Sequence, residues 1–289
     1  MDLKTLDLLP DQTRIDSEKI QQTIKEIPTL ELAKLLNVAE STAKNYKRGV
    51  HRITLEQLRK LKIEPELRIG LEASNKYLEL PERIPITKDL LWLIGFWKGD
   101  SDDSDTRIGV CNIEDKIIKK SYEILSGIVR KNNVSFEAET PENFKGRLLT
   151  EKSRIKKQRK QVCYTVRVYR KLFRLFFLNL VNKIENQIDV LPKELKMAFV
   201  SGFIDAEGSV NKKRKAIVIY QKDKKILILV KKLLDDSGIK SGQIVKDHDD
   251  FHLEILKGKN NENLMKFSKN SYLQSSRKKE KIYVLLFPH

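Results

Sequence analysis

Cysteine is nearly absent from this sequence: Cys111 and Cys163 are the only two in 289 residues, and they lack metal-finger spacing. A disulfide framework is therefore not indicated, and neither is a structural zinc module. Long apolar runs are missing as well. The stretch from Leu90 to Gly99 has about half the length of a membrane span and ends in charges, which excludes a transmembrane helix. No signal peptide, lipidation site or low-complexity segment is visible, so a soluble intracellular protein is expected, cytoplasmic at a prokaryotic nucleoid. Negative charge is in deficit. Against 57 Lys and Arg stand 40 Asp and Glu, a formal net charge of +17. Such an excess favours a polyanionic partner, nucleic acid first, although charge by itself does not separate DNA from RNA. The length suits two or three modest domains with enough apolar content to fill their cores.

Two related nonapeptides stand out. The first is Leu93-Ile94-Gly95-Phe96-Trp97-Lys98-Gly99-Asp100-Ser101, and the second is Val200-Ser201-Gly202-Phe203-Ile204-Asp205-Ala206-Glu207-Gly208. Each carries small residues four apart, Gly95 with Gly99 and Gly202 with Ala206, followed at once by an acid. Small residues at that spacing share one helix face and let two backbones approach closely. Packing through those faces would bring Asp100 and Glu207 side by side at the helix C-termini. Carboxylates there oppose the helix dipole, so a positive partner is expected, and a shared divalent metal is the economical one. The acids Asp100, Asp102, Asp103 and Asp105 do not form a calcium loop. Counted from Asp100, the sixth position is Asp105 where an EF-hand needs glycine, and the twelfth is Cys111 where it needs Glu.

These nonapeptides resemble the LAGLIDADG motif of homing endonucleases, in the form with two copies in one chain. The second copy matches at Gly202, Ile204, Asp205, Ala206 and Gly208, with Glu207 in the metal-binding position. The first keeps Asp100 there but has Lys98 in place of an acid and Ser101 in place of the last glycine. Lys98 either lowers metal affinity or faces away. The resemblance spans roughly the last 200 residues, because similar segments follow each motif: Arg107–Val110 and Asn112–Asp115 in one half, Ala216–Lys222 and a helix ending near Gly238 in the other. It implies an α+β fold in which a pseudo-two-fold pair of αββαββα repeats forms a DNA-binding saddle, at residues 89–190 and 191–289. It also implies metal-assisted hydrolysis of double-stranded DNA by a monomer, with Mg²⁺ or Mn²⁺ held by Asp100 and Glu207. The family's basic residue near the centre falls on Lys278 or Lys279 in the second half.

Residues 1–75 read as a separate, all-α unit. Thr29 to Gly49 resembles the helix-turn-helix of small bacterial and phage repressors, with Ala33 at a close crossing and Asn37 at the tight turn. Val38, Ala43 and Tyr46 fill the space between helices, and a further helix follows over Arg52–Leu58. The implied recognition helix runs from Glu40 to Arg48, with Ser41, Thr42, Lys44, Asn45 and Lys47 as DNA contacts. The joint is expected from Ser74 to Pro85, where Pro81 and Pro85 bracket a short connector, giving a linker over 76–88.

Over Gln161–Arg170 alternate residues divide into two sets. Val162, Tyr164, Val166 and Val168 suit the core, while Cys163, Thr165, Arg167 and Tyr169 face the other way, toward DNA. Eight basic residues against one acid lie between Lys145 and Lys160. Among them Lys145, Arg147, Arg154, Lys156 and Lys157 are candidate phosphate contacts on a hairpin tip, and Lys212, Lys213 and Arg214 occupy the matching place in the second half. Two rival readings use the same fold: a catalytically inactive DNA-binding regulator, favoured by the degenerate first motif, and an intron maturase that binds RNA. An intein is not expected, since Met1 and the ending Phe287-Pro288-His289 lack the groups that protein splicing needs.

Overall fold

The structure, a computed structural model, describes residues 2–63, 68–73 and 76–287. Met1, Ser74, Pro288 and His289, which figure in the expectations above, lie outside the described residues. The chain opens with a short strand, β1 (Asp2–Lys4), a 3-10 turn over Thr5–Leu8, and β2 (Arg14–Asp16). Three helices follow, α1 (Glu18–Glu26), α2 (Thr29–Leu36) and α3 (Glu40–Lys47). The Ser17 hydroxyl accepts from the Ile20 amide to start α1. Asn37 ends α2 in the left-handed region at φ 55°, which turns the chain tightly into α3. Ala33, Ala43 and Tyr46 are buried between the helices.

This region is not all-helical as expected. Ile53–Thr54 forms β3, and only then does α4 (Leu55–Leu61) begin, closed by a reciprocal bond pair between Thr54 and Gln57. Residues read as a connector are strands: β4 (Arg68–Ala73) pairs with β5 (Lys76–Pro81), and β6 (Arg83–Pro85) pairs with β1. The four-stranded sheet runs β3-β2-β4-β5, all antiparallel. The prolines that suggested a linker sit at strand ends, where a missing N–H is tolerated. Leu78 and Leu80 of the supposed linker are buried.

Helix α5 (Lys88–Asp100) carries the first motif, capped by Thr87, whose hydroxyl accepts from the Leu90 amide at 3.2 Å. From Leu90 to Trp97 every residue is buried, as a helix apolar on all sides requires. The first sheet follows: β7 (Ile108–Asn112), helix α6 (Asp115–Ile128), β8 (Val134–Thr140), β9 (Ser153–Ile155) and β10 (Cys163–Val168), then α7 (Lys171–Gln187). The second motif lies on α8 (Lys193–Glu207), which starts after Pro192. Its sheet comprises β11 (Gly208–Asn211), β12 (Ala216–Gln221), β13 (Val245–Asp247) and β14 (Asp250–Leu256). Helix α9 (Lys224–Asp236) lies between β12 and β13, and α10 (Glu262–Asn270) and α11 (Ser276–Leu286) complete the chain.

The strand orders β7-β10-β8-β9 and β11-β12-β14-β13 bring out where the halves agree and differ. β7, β10 and β8 correspond to β12, β14 and β13. The counterpart of β11 is reduced in the first half to an isolated bridge between Ser101 and Val110. β9 is an addition, paired parallel to β8 on the outer edge. No helix among the described residues is long and apolar enough to cross a membrane.

Candidate active site

The site is built by how closely α5 and α8 approach. A Cβ on Gly95 would overlap the Phe199 carbonyl oxygen, and one on Gly202 would overlap that of Trp92. A Cβ on Gly99 would lie 2.5 Å from the Ala206 Cβ and 2.8 Å from the Glu207 Cγ. All four small residues therefore lie in the seam, and the seam ends at Asp100 and Glu207. Each acid is held by an amide from the strand beyond its motif. Asn112 Nδ2, at the end of β7, donates to Asp100 Oδ2 at 3.0 Å. Gln221 Nε2, at the end of β12, donates to Glu207 Oε1 at 3.2 Å. The sequence reading missed both amides. Their one signal is that each terminates the second strand position after a motif acid.

Two half-buried carboxylates at helix C-termini are poorly stabilised as anions. Burial first, and then repulsion from Asp100, push the Glu207 carboxyl up to about 7 against the Gln221 bond and the Lys278 charge. Burial also raises Asp100, opposed by its bond from Asn112 and by Lys278. Of the two lysines that the family resemblance singled out, Lys278 is the one whose charge acts on both acids. It is buried on α11, and its Nζ donates to the Ile204 and Asp205 carbonyl oxygens at 2.7 and 2.6 Å, capping the end of α8. Burial lowers its ammonium to about 8. Lys279 does not join the site; it is exposed on the outer side of the same helix.

The sixth motif position has parted ways in the two halves. Asp205 is buried and accepts from Trp92 Nε1 at 2.8 Å and from the Gln274 and Ser275 amides at 2.6 and 3.2 Å. It thereby fastens the first motif helix and the loop leading to Lys278. Lys98 faces away from the acids and pairs with Glu185 of α7 at 2.9 Å.

Of the proposed nucleic-acid contacts, Ser41 and Lys44 are exposed and Thr42 and Asn45 half-buried on α3. Lys44 pairs with Glu40 at 3.0 Å, and the Lys47 ammonium donates to the Ile27 carbonyl at 2.6 Å. Lys145, Arg147 and Lys157 are exposed, as are Lys212, Lys213 and Arg214, the last donating to Glu254 at 2.5 Å. The alternation of β10 is as read on its core face, with Tyr164, Val166 and Val168 buried. Its other face is not open. Arg167 is buried, paired with Asp102 and, at 2.9 Å, with Glu137, and only Tyr169 of that set is exposed. Asp102 belongs to the loop that replaces a full first strand.

Residues 194–270, which include the second motif, match the model of the LAGLIDADG-like domain family. Similar solved structures include the homing endonuclease I-DmoI in complex with DNA and Mn, 19% identical over 71% of this chain and 99% of that one, at a TM-score of 0.39. Another is full-length DUF199/WhiA from Thermatoga maritima, 16% identical over 70% of this chain and 60% of that one, at 0.44. The N-terminal LAGLIDADG domain of DUF199/WhiA is 16% identical over 69% and 88% respectively, at 0.41. No curated protein matches the chain.

Proposed function

We propose that this protein is a site-specific endonuclease that hydrolyses phosphodiester bonds of double-stranded DNA with a divalent metal, Mg²⁺ or Mn²⁺. The observation that carries the reading is the meeting of Asp100 and Glu207 at the end of the α5–α8 seam, with Lys278 beside them. The donor set fits such a metal. Both ligands are hard carboxylate oxygens, and each has one oxygen fixed by an amide, which leaves the other free to be shared. Among the described residues no group of three or more His, Cys, Asp or Glu could hold a metal. Two carboxylates with water and phosphate completing the shell is the arrangement Mg²⁺ accepts.

When bound, the metal supplies Lewis-acid polarisation of the phosphate and a more acidic water. The chain's own residues do the positioning. Asn112 and Gln221 fix the carboxylate planes, and Asp205 locks Trp92 to the loop before α11 so that Lys278 stays at the helix end. Lys278 contributes a positive charge beside two acids that otherwise resist ionisation together. No side-chain nucleophile is needed.

The test is cleavage-site selection from a random or genomic DNA pool with Mg²⁺ and with EDTA. A discrete metal-dependent break is expected. Asp100→Asn and Glu207→Gln should each lower cutting by about 10²–10³-fold or more while leaving binding largely intact. Normal cleavage by either variant removes the metal-ligand assignment. Lys98, turned away to Glu185 where the second motif keeps an acid, favours one other reading, a DNA-binding regulator on the same fold. Tight retention of a defined site with no break under either condition would select it, and capture of no DNA would direct the search to RNA.

A further inference from the structure

The basic segment before β10 is not simply a charged loop. Its backbone is stitched to the sheet edge: the Ala138 amide donates to the Lys152 carbonyl and the Lys156 amide to the Thr140 carbonyl, both at 2.9 Å. In register, Arg154 stands opposite Glu139 of β8, and Glu139 stands opposite Cys163 of β10. The Glu139 carboxylate is buried, and three cations converge on it. Arg154 bonds Oε1, while Lys156 at 3.3 Å and Arg159 at 2.9 and 2.7 Å reach Oε2. The cations themselves remain accessible, their side chains 57%, 46% and 37% exposed against 5% for Glu139. Three positive charges around one negative leave two in excess, directed outward. Along β10, Cys163 stands opposite Glu139 and Thr165 opposite Cys111 of β7, so the cluster shares its sheet face with Cys111, the neighbour of the Asn112 that holds Asp100.

We propose that Glu139 is a positioning residue for phosphate binding, gathering Arg154, Lys156 and Arg159 into a preformed cradle for a backbone phosphate of duplex DNA. The proposal rests on the reading of the protein as a DNA-binding one. Its physical basis is preorganisation: three long side chains already ordered around a buried anion lose little further freedom when a phosphate arrives, and each Arg keeps N–H groups beyond those that bond Glu139. An anion inside a DNA-binding surface then strengthens DNA binding. That is opposite in sign to its bare Coulomb effect.

The sign is the test. Duplex-DNA affinity is measured over a range of salt for the full-length wild type, Glu139→Gln, Glu142→Gln, Arg159→Ala and the Glu139→Gln/Arg159→Ala double variant, with thermal unfolding of each. Glu142 is exposed on the same segment and its pairing with the exposed Lys157 is long at 3.8 Å, so its loss adds the same charge without touching the cradle. Glu142→Gln should bind slightly tighter than wild type. Glu139→Gln should bind several-fold weaker, with the log–log salt slope reduced by about 1–2. The double variant should lose less than the sum of the two single losses, because Glu139 acts in part through Arg159, and it should still bind more weakly than Arg159→Ala because Arg154 and Lys156 are released as well. Tighter binding by Glu139→Gln, matching Glu142→Gln, overturns the proposal and leaves the DNA reading standing. Additive losses in the double variant, tracking a drop in melting temperature, overturn it in favour of a purely structural Glu139. A wild type that binds no duplex at any salt removes the DNA reading itself and this proposal with it.

Discussion

Glu207 sits in an environment that prefers its neutral form, and that has a consequence for stability. Its folded carboxyl, at about 7, lies above its ordinary 4.5. Between those values the unfolded chain has already released the proton that the folded chain still holds. Stability of the metal-free protein therefore falls as pH rises from about 4.5 to 7. A divalent cation reverses the preference. Added Mg²⁺ or Mn²⁺ should raise the melting temperature clearly at pH 7.5 and little at pH 5.5, read by thermal unfolding against EDTA. Glu207→Gln should stabilise the metal-free protein at pH 7.5, by on the order of 1 kcal/mol once partial solvation of the carboxylate is allowed for, and should lose the metal response. An unchanged metal response in Glu207→Gln would remove it from the site. At this scale the sequence showed the two acids, because small-residue spacing fixes which helix face they share. It did not show Asn112 and Gln221, whose roles depend on where two strands end. Nor did it show that Lys98 would find Glu185, or that Arg167 would be taken up by Asp102 and Glu137; both depend on partners distant in the chain, brought close only by the fold.

Helix pairing decides whether the acids meet at all. Gly95 and Gly202 lie against carbonyl oxygens of the opposite helix, which are backbone atoms that cannot swing aside. Gly202→Ala or Gly95→Ala should therefore force α5 and α8 apart and cost about 3 kcal/mol or more, at the upper end of overpacking penalties, measured as a lower midpoint in urea unfolding. Ser201, beside that seam, offers a contrast: its hydroxyl already bonds the Met197 carbonyl and receives the Tyr272 amide. Both motif helices were legible from sequence since each carries an apolar stretch with small residues four apart and ends in an acid. The four-stranded sheets that follow the two motifs were legible in outline. The differences between them were not. The Ser101–Val110 bridge follows from the bonded turn of Asp102, Asp103 and Arg107, and β9 exists because a basic segment is recruited to the β8 edge. Among the N-terminal strands, β1 and β3 escaped notice for a different reason: pieces of two or three residues are too short to show any period.

The N-terminal unit is fastened to the rest of the molecule, which limits how its role can be tested. β1 lies against β6, the Thr5 amide bonds the Glu82 carbonyl at 2.9 Å, and Asn179 of α7 donates to the Leu8 carbonyl at 2.9 Å. Leu3, Leu8 and Leu9 are buried in the same continuous core as the motif helices. Burial of such side chains stabilises by about 1.5–3 kcal/mol each, so deleting the unit would weaken the half that carries the motif helices as well as remove the proposed DNA contacts of α3. Loss of cutting in a truncation would then say nothing about targeting. Substitutions on the open face of α3 avoid this, because Lys44 is exposed and Asn45 half-buried, and neither side chain belongs to the core. The double change Lys44→Ala/Asn45→Ala should leave the melting temperature and its metal response unchanged. Affinity for the selected site should drop by about 1–3 kcal/mol for each side chain that reads a base edge, while binding to unrelated duplex falls far less. Unaltered affinity and an unaltered cleavage footprint would instead make the N-terminal unit a structural buttress of α7, with DNA read by the two sheets alone.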